Sequence, residues 1–444
     1  MAPFWNRRTF LKSAASTLLA ASSFSASAAE RPPVLDPRAT SGDSAIEPAW
    51  DERLSITVGH DNADINGATE KAIQAAVDYL ARAGGGTVNV LPGVYHLRNA
   101  IYLQSGIRLV GAGNDTVLLK EPSNQSALVL NSDWYDQEIT LANARGFEVG
   151  DGVCIRAKNP HTGGSTIIKR TLVARSGNRF KLDKALRENI WLEGEPTVET
   201  LFPIVTGEFI ENIAVENIVL DGNKSVNANL DGNYAGGIFL QDCRNLVFRG
   251  VTSRNYNGDG FSWQICHDVL AENCNSHDNE QLGFHPGSGS QRPVLRNNVS
   301  QRNWIGIFFC WGVKYGLAEG NTIADSRDWG ISIGHNDTDN LIINNKILRS
   351  GTNGILFRDE SEAFTGNRNT LRENEIVDSG PDTGIAIDIQ GPTADILFER
   401  NAVRETRGPA QRVGIRIGKH ARNIALTENT ISGVATDLVD LRQA

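Results

Sequence analysis

Cysteine, positive charge and long apolar runs are all scarce in this chain of 444 residues, and each scarcity closes off a class of protein. There are five cysteines, an odd number, so at least one has no partner within the chain. None is spaced as CxxC or CxxH, which removes the usual zinc and dithiol motifs. Lysine and arginine total 43 against 52 acids, a formal charge of −9. A nucleic-acid binder needs a basic surface, so that class is disfavoured. An acidic protein still binds an acidic polymer where its groove is locally basic. No apolar run approaches the roughly 20 residues that span a bilayer, so no stable membrane association is expected. Heptads, low-complexity tracts and a leucine-repeat consensus are absent as well.

What is present begins with an address. Asn6-Arg7-Arg8-Thr9-Phe10-Leu11-Lys12 resembles a twin-arginine export motif, followed by a short apolar run, Ala14 to Ala21, and a small-residue cleavage site, Ala26-Ser27-Ala28. An ordinary secretory signal is the alternative. No cysteine lies near the cleavage point, which argues against a lipoprotein. The expectation is a periplasmic or secreted bacterial protein, with the twin-arginine machinery as a partner and a monomer as the mature form. Residues 1–28 hold Arg7, Arg8 and Lys12 and no acid, so their removal takes −9 to −12. Residues 29–55 read as a linker or lead-in and 56–444 as one domain.

Within that domain a glycine recurs at Gly237, Gly260, Gly283, Gly306, Gly330, Gly354, Gly384 and Gly414, at steps of 23, 23, 23, 24, 24, 30 and 30 residues. Each opens the pattern glycine, apolar, variable, apolar. Ile238, Phe261, Phe284, Ile307, Ile331, Ile355, Ile385 and Ile415 follow the glycines. The variable column holds Phe239, Ser262, His285, Phe308, Ser332, Leu356, Ala386 and Arg416. Period two means strands with one column inward and the next outward. A fixed period of this length means units that bury their apolar faces only by stacking on one another. Asn273, Asn297, Asn321 and Asn345 form a second ladder at steps of 24 residues. Cys243 and Cys266 both fall six residues after a glycine, hence on adjacent rungs. A disulfide and a pair of small buried side chains are both open there.

These features resemble the right-handed parallel β-helices of the pectate-lyase-like superfamily, from about Ile56 to the C-terminus. The fold expected is all-β: a single-stranded right-handed parallel β-helix, or solenoid, of about three short strands per turn. Ala68 to Ala83 reads as an amphipathic helix stopped by Gly84-Gly85-Gly86, and the resemblance implies that it caps the N-terminal end of the coil. Residues 132–205 break the period and read as a β-rich insertion.

The chemistry is expected where the outward positions become loaded, between Tyr256 and Asp359. Four of the eight histidines lie there, His267, His277, His285 and His335, with Trp263, Trp304, Trp311 and Trp329. Aromatic faces stack on sugar rings, and histidine titrates near neutral pH. Trp263 belongs to an inward column, so core packing is its reading, whereas Trp304, Trp311 and Trp329 are substrate-binding candidates. His285 is the leading catalytic candidate, read with Gln264 one rung below and Phe308 one rung above. His335 follows two rungs further on, roughly 10 Å at about 4.8 Å per rung. Asp259, Arg358 and Asp359 complete the catalytic candidates, and Arg302 and Lys314 are candidate sources of local positive charge.

Two enzyme chemistries fit a linear polysaccharide lying on such a face. In β-elimination or epimerisation at a uronate, a base takes the proton beside the carboxylate while a cation or Ca²⁺ neutralises that carboxylate. His285, His335, Lys314, Tyr315 and Arg358 offer the groups. Glycoside hydrolysis instead needs two carboxyl groups, about 5–5.5 Å or about 6.5–9.5 Å apart, with Asp259, Asp328, Asp337, Asp359 and Asp388 as candidates. A non-catalytic polysaccharide-binding or surface protein is the third class. Gly258-Asp259-Gly260-Phe261 and His277-Asp278-Asn279, with Gly283-Phe284, are similar to runs in alginate C5-epimerase modules. That family carries Asp-Pro-His where this chain has Ser262-Trp263-Gln264, and a second histidine where this chain has Ile305. No cofactor is certain from the sequence, and Ca²⁺ is the one left open.

Overall fold

The computed structural model describes residues 47–443; the expected signal segment and the lead-in as far as residue 46 lie outside them. Three parallel sheets of 13, 11 and 11 strands form the faces of one long coil. Each turn of chain gives one short strand to each face, and that strand pairs with its equivalent one turn away. His267–Glu272, for instance, lies between Arg244–Arg249 and Val294–Arg296. The winding follows the right-handed sense that parallel strand connections take.

The inward columns make the core. Ile238, Phe261, Phe284, Ile307, Ile331 and Ile355 stand in register rung upon rung, and all are buried. Phe261 and Phe284 stack with ring centroids 4.8 Å apart. Trp263 is fully buried in the same core, as its inward position predicts. Each such side chain contributes roughly 1.5–3 kcal/mol by leaving water.

The recurring glycine has a steric cause. A Cβ on Gly283 would meet Ser300 Oγ at 2.2 Å and the Gly306 carbonyl oxygen at 2.6 Å. The face carrying the glycines meets its neighbour at a corner too tight for a side chain. The period slips once, however. Ile355 pairs with Ile387 rather than Ile385, so Ala386 takes the corner and Gly384 closes the turn after Pro381 instead.

The asparagine ladder is also shifted by one residue at its start. Asn298, Asn321, Asn345, Asn374, Asn401 and Asn429 bond amide to carbonyl along the coil at 2.8–3.0 Å. Asn273 and Asn297 sit outside it in left-handed turn positions.

The capping helix spans Glu70–Arg82 and buries Ala72, Ile73, Ala76, Val77 and Leu80 against the first turns. The insertion is a six-stranded antiparallel lobe running from Gln125 to Glu199, earlier at both ends than expected, with its own core around Phe147, Phe180 and Ile190. All five cysteines are buried free thiols; Cys243 and Cys266 form no disulfide, and their thiols donate to the Gln241 and Gln264 carbonyls at 3.0 and 3.2 Å. Among the described residues no helix is long and apolar enough to cross a membrane.

Candidate active site

The glycine-bearing face presents Ser262, His285, Phe308 and Ser332 as successive rungs of one outward column. His285 is therefore outward, but it is 2% exposed. Its Nδ1 lies 2.7 Å from Asp259 Oδ2. Asp259 opens the strand Asp259–Gln264, and it also accepts the Leu282 amide at 3.0 Å. Burial pushes the Asp259 carboxyl above its ordinary range, with His285 and the Leu282 amide pulling the other way. With the Nδ1 proton given to the carboxylate, the lone pair stands on Nε2. Nε2 is buried and has no hydrogen-bond partner.

A strap, residues 222–235, covers this pair. Ser262 Oγ donates to the Gly232 carbonyl at 2.6 Å, and the Gly232 amide donates to Gln281 Oε1 at 2.9 Å. Gly232 lies against Asp259 so closely that a Cβ there would overlap the carboxylate. From the lobe, Lys169 Nζ donates to the Tyr234 carbonyl at 2.6 Å and rests 3.9 Å above the Phe239 ring.

Phe308 is the half-buried floor beside the strap. Its ring centroid is 5.5 Å from that of His285 and 4.5 Å from the Arg358 guanidinium carbon. Arg358 donates to Ser332 Oγ at 2.8 Å and to Asp337 Oδ2 at 3.1 Å, and lies 3.4 Å from Glu360. Asp337 is fully buried and takes three backbone amides, from Gly312, Val313 and Gly334. Burial nonetheless pushes its carboxyl up to about 6, against Arg358 and those amides.

His335 is not in the outward column. It lies past the strand Trp329–Ile333, sandwiched between Trp311 and Phe364 at 4.1 and 4.6 Å, with Nδ1 3.5 Å from Glu360. Trp311 leaves one face of this stack exposed, and Trp304, before the strand Ile305–Phe308, is 42% exposed.

Several candidates fall outside the cluster. Ser262, not Gln264, lies under His285; Gln264 pairs with Gly287 and reaches the site only through a 3.2 Å bond to Ser262. Arg302 is held by both oxygens of Asp278 at 2.7 Å. Lys314 sits on a separate bridge column with Gln291 and Thr338. Asp359 is exposed, and Glu360 takes its place beside Arg358. Trp329 is half-buried and opens the strand Trp329–Ile333. Asp388 occupies the outward column further along and is held by both arms of Arg416.

Among the described residues, no group of three or more His, Cys, Asp or Glu side chains is placed to hold a metal ion. The site's carboxylates are taken up by amides, by Arg358 and by His285.

Residues 236–431 match the family described as the right-handed beta helix region. Among solved structures, the A-module of the Azotobacter vinelandii mannuronan C-5 epimerase AlgE6 is similar with a TM-score of 0.55 at 17% identity, over 83% of this chain and 91% of that one. The AlgE4 A-module from the same organism gives 0.50 at 16% identity, over 86% and 97%. At these identities the likeness is one of fold. No curated protein matches the sequence. Family match, register and solved relatives agree that the chain is a right-handed parallel β-helix protein.

Proposed function

We propose that this protein acts on a uronate-containing polysaccharide by abstracting the proton beside the sugar carboxylate, as a lyase or an epimerase. The observation that carries the reading is the Asp259–His285 pair, with Nε2 left unpartnered beside an accessible aromatic floor and a guanidinium. His285 Nε2 takes the proton, and Asp259 holds the Nδ1 proton and supports the imidazolium that forms. Arg358 balances the charge that develops on the substrate carboxylate. Loss of the neighbouring leaving group with a proton gives an unsaturated end, and return of a proton to the opposite face gives the epimer. The strap must open for either. The similar solved structures are named as mannuronan epimerases, which makes mannuronan the first polymer to try.

A second reading, glycoside hydrolysis, has one observation in its favour. Asp337, with its raised carboxyl, and Glu360 flank the same guanidinium, as an acid and a carboxylate would.

The test is a screen of mannuronan, polygalacturonate and related polymers, with and without Ca²⁺. It follows ultraviolet absorbance from unsaturated ends, new reducing ends, and the proton spectrum for inverted sugars. Absorbance and reducing ends together mean a lyase, and inverted sugars alone an epimerase. Reducing ends without absorbance move the assignment to Asp337 and Glu360. Binding with none of the three means a non-catalytic binder. We also assign the activity to the periplasm or the cell exterior on the strength of Arg7-Arg8. Replacing both with lysine is expected to keep the chain in the cytosolic fraction.

A further inference from the structure

The groove beside the strap takes no part in the proton abstraction proposed above. It holds about 610 Å³ and is lined by Asn229, Glu280, Gln281, Trp304 and Arg327. That is within the roughly 300–1,000 Å³ of small-molecule sites. A partly exposed indole ringed by amides, a carboxylate and a guanidinium has the chemistry to hold a sugar unit. The pyranose face stacks on the ring, and the hydroxyls bond the rim. The rim is already held in place, since Arg327 donates to the Glu280 carbonyl and Lys224 lies 3.6 Å from the Glu280 carboxylate.

One rim residue does two things. Gln281 lines the groove, and its Oε1 accepts the Gly232 amide at 2.9 Å. Gly232 is the residue pressed against Asp259. A sugar hydroxyl that donates to Gln281 Oε1 therefore competes with one of the bonds that hold the strap over the catalytic pair.

We propose that the Trp304 groove is an accessory glycosyl subsite, and that filling it releases the strap from Asp259 and His285. The occupant is one sugar unit of the polymer beyond the reacting unit, so the inference rests on the polysaccharide reading above. A long chain then opens its own site, whereas a short one does not reach the latch.

The test uses the His285→Ala chain, which binds without turnover, with the dimers and hexamers of mannuronate and galacturonate as probes. Calorimetry reads binding, and hydrogen exchange of residues 227–235 reads the strap. The hexamer is expected to bind at least about tenfold more tightly than its dimer, and to raise exchange in the strap. Trp304→Ala added to that background is expected to abolish both effects, and Trp304→Phe, which keeps a ring, to restore part of each. A hexamer advantage that ignores Trp304, or a bound hexamer that leaves strap exchange unchanged, overturns the inference alone. Failure of every oligomer to bind any variant, with the native fold confirmed by circular dichroism, overturns the polysaccharide reading and the inference together.

Discussion

A histidine that gives one nitrogen to a buried carboxylate has the other left for chemistry, and at His285 that second nitrogen is unspent. The carboxylate fixes the tautomer, so its loss should cost rate more than binding. Asp259→Asn is expected to lower kcat by roughly 10²–10⁴-fold with KM little changed; a variant that keeps its kcat would remove Asp259 from the mechanism. Arg358→Lys keeps the charge but loses the fork that reaches Ser332, Asp337 and Glu360 together. It should raise KM for a uronate polymer, with the wild-type value at each ionic strength as the control. His285 was legible because strict alternation puts the second residue after Gly283 outward. The same count from Gly260 reaches Ser262, and reading Gln264 there was a miscount that the register exposes. Arg302 was not legible as a spent charge, because its partner Asp278 is 24 residues away and becomes a neighbour only when rungs stack.

At the scale of the element, the coil is held by two repeated devices, the glycine corner and the asparagine ladder. Asn345 Oδ1 accepts both the backbone amide and the side chain of Asn321, and its own amide donates to Ala318 and Asn374. Asn345→Ala leaves several of these buried groups without partners. Each orphan costs about 1–3 kcal/mol, so a loss of at least 2 kcal/mol in urea unfolding is expected. A loss under 0.5 kcal/mol would mean that water takes over the ladder. Periodicity made the ladder visible but not its phase. Asn297 and Asn298 are adjacent, and a uniform step of 24 residues selects Asn297, whereas the rung from Asn298 to Asn321 is one residue shorter. Gly384 misled in the same way, since a glycine serves a turn as readily as a corner. The lobe and the strap carry no period at all, which is why the sequence suggested the first only roughly and the second not at all.

For the molecule as a whole, the fold is stable enough to bury a lysine against its interest. Lys120 points into the coil, 2% exposed, with Nζ 4.7 Å from the Phe202 ring and 5.6 Å from that of Tyr256. Burial pushes its ammonium down to about 7, and the two rings offset only part of that cost. The unfolded chain returns it to about 10.4. Between those values the unfolded state binds more protons, so this group's contribution to stability rises with pH from about 7 to about 10.4 and is lost again as pH falls through 7. Asp337 acts in the opposite direction, because its carboxyl is raised to about 6. Its contribution is present at low pH and falls as pH climbs from about 4 to about 6. At pH 7 Asp337 is ionised and Lys120 is midway through its titration, so both costs still weigh on the fold. Lys120→Met keeps the volume and removes one of them. Other titrations shift both proteins alike, so the difference between variant and wild type isolates Lys120. The variant is expected to be more stable at pH 7 by up to ~4 kcal/mol, and its advantage to shrink steadily in denaturant titrations as pH rises towards 10. A difference that stays flat across that range would mean that the Lys120 ammonium is solvated in the native coil.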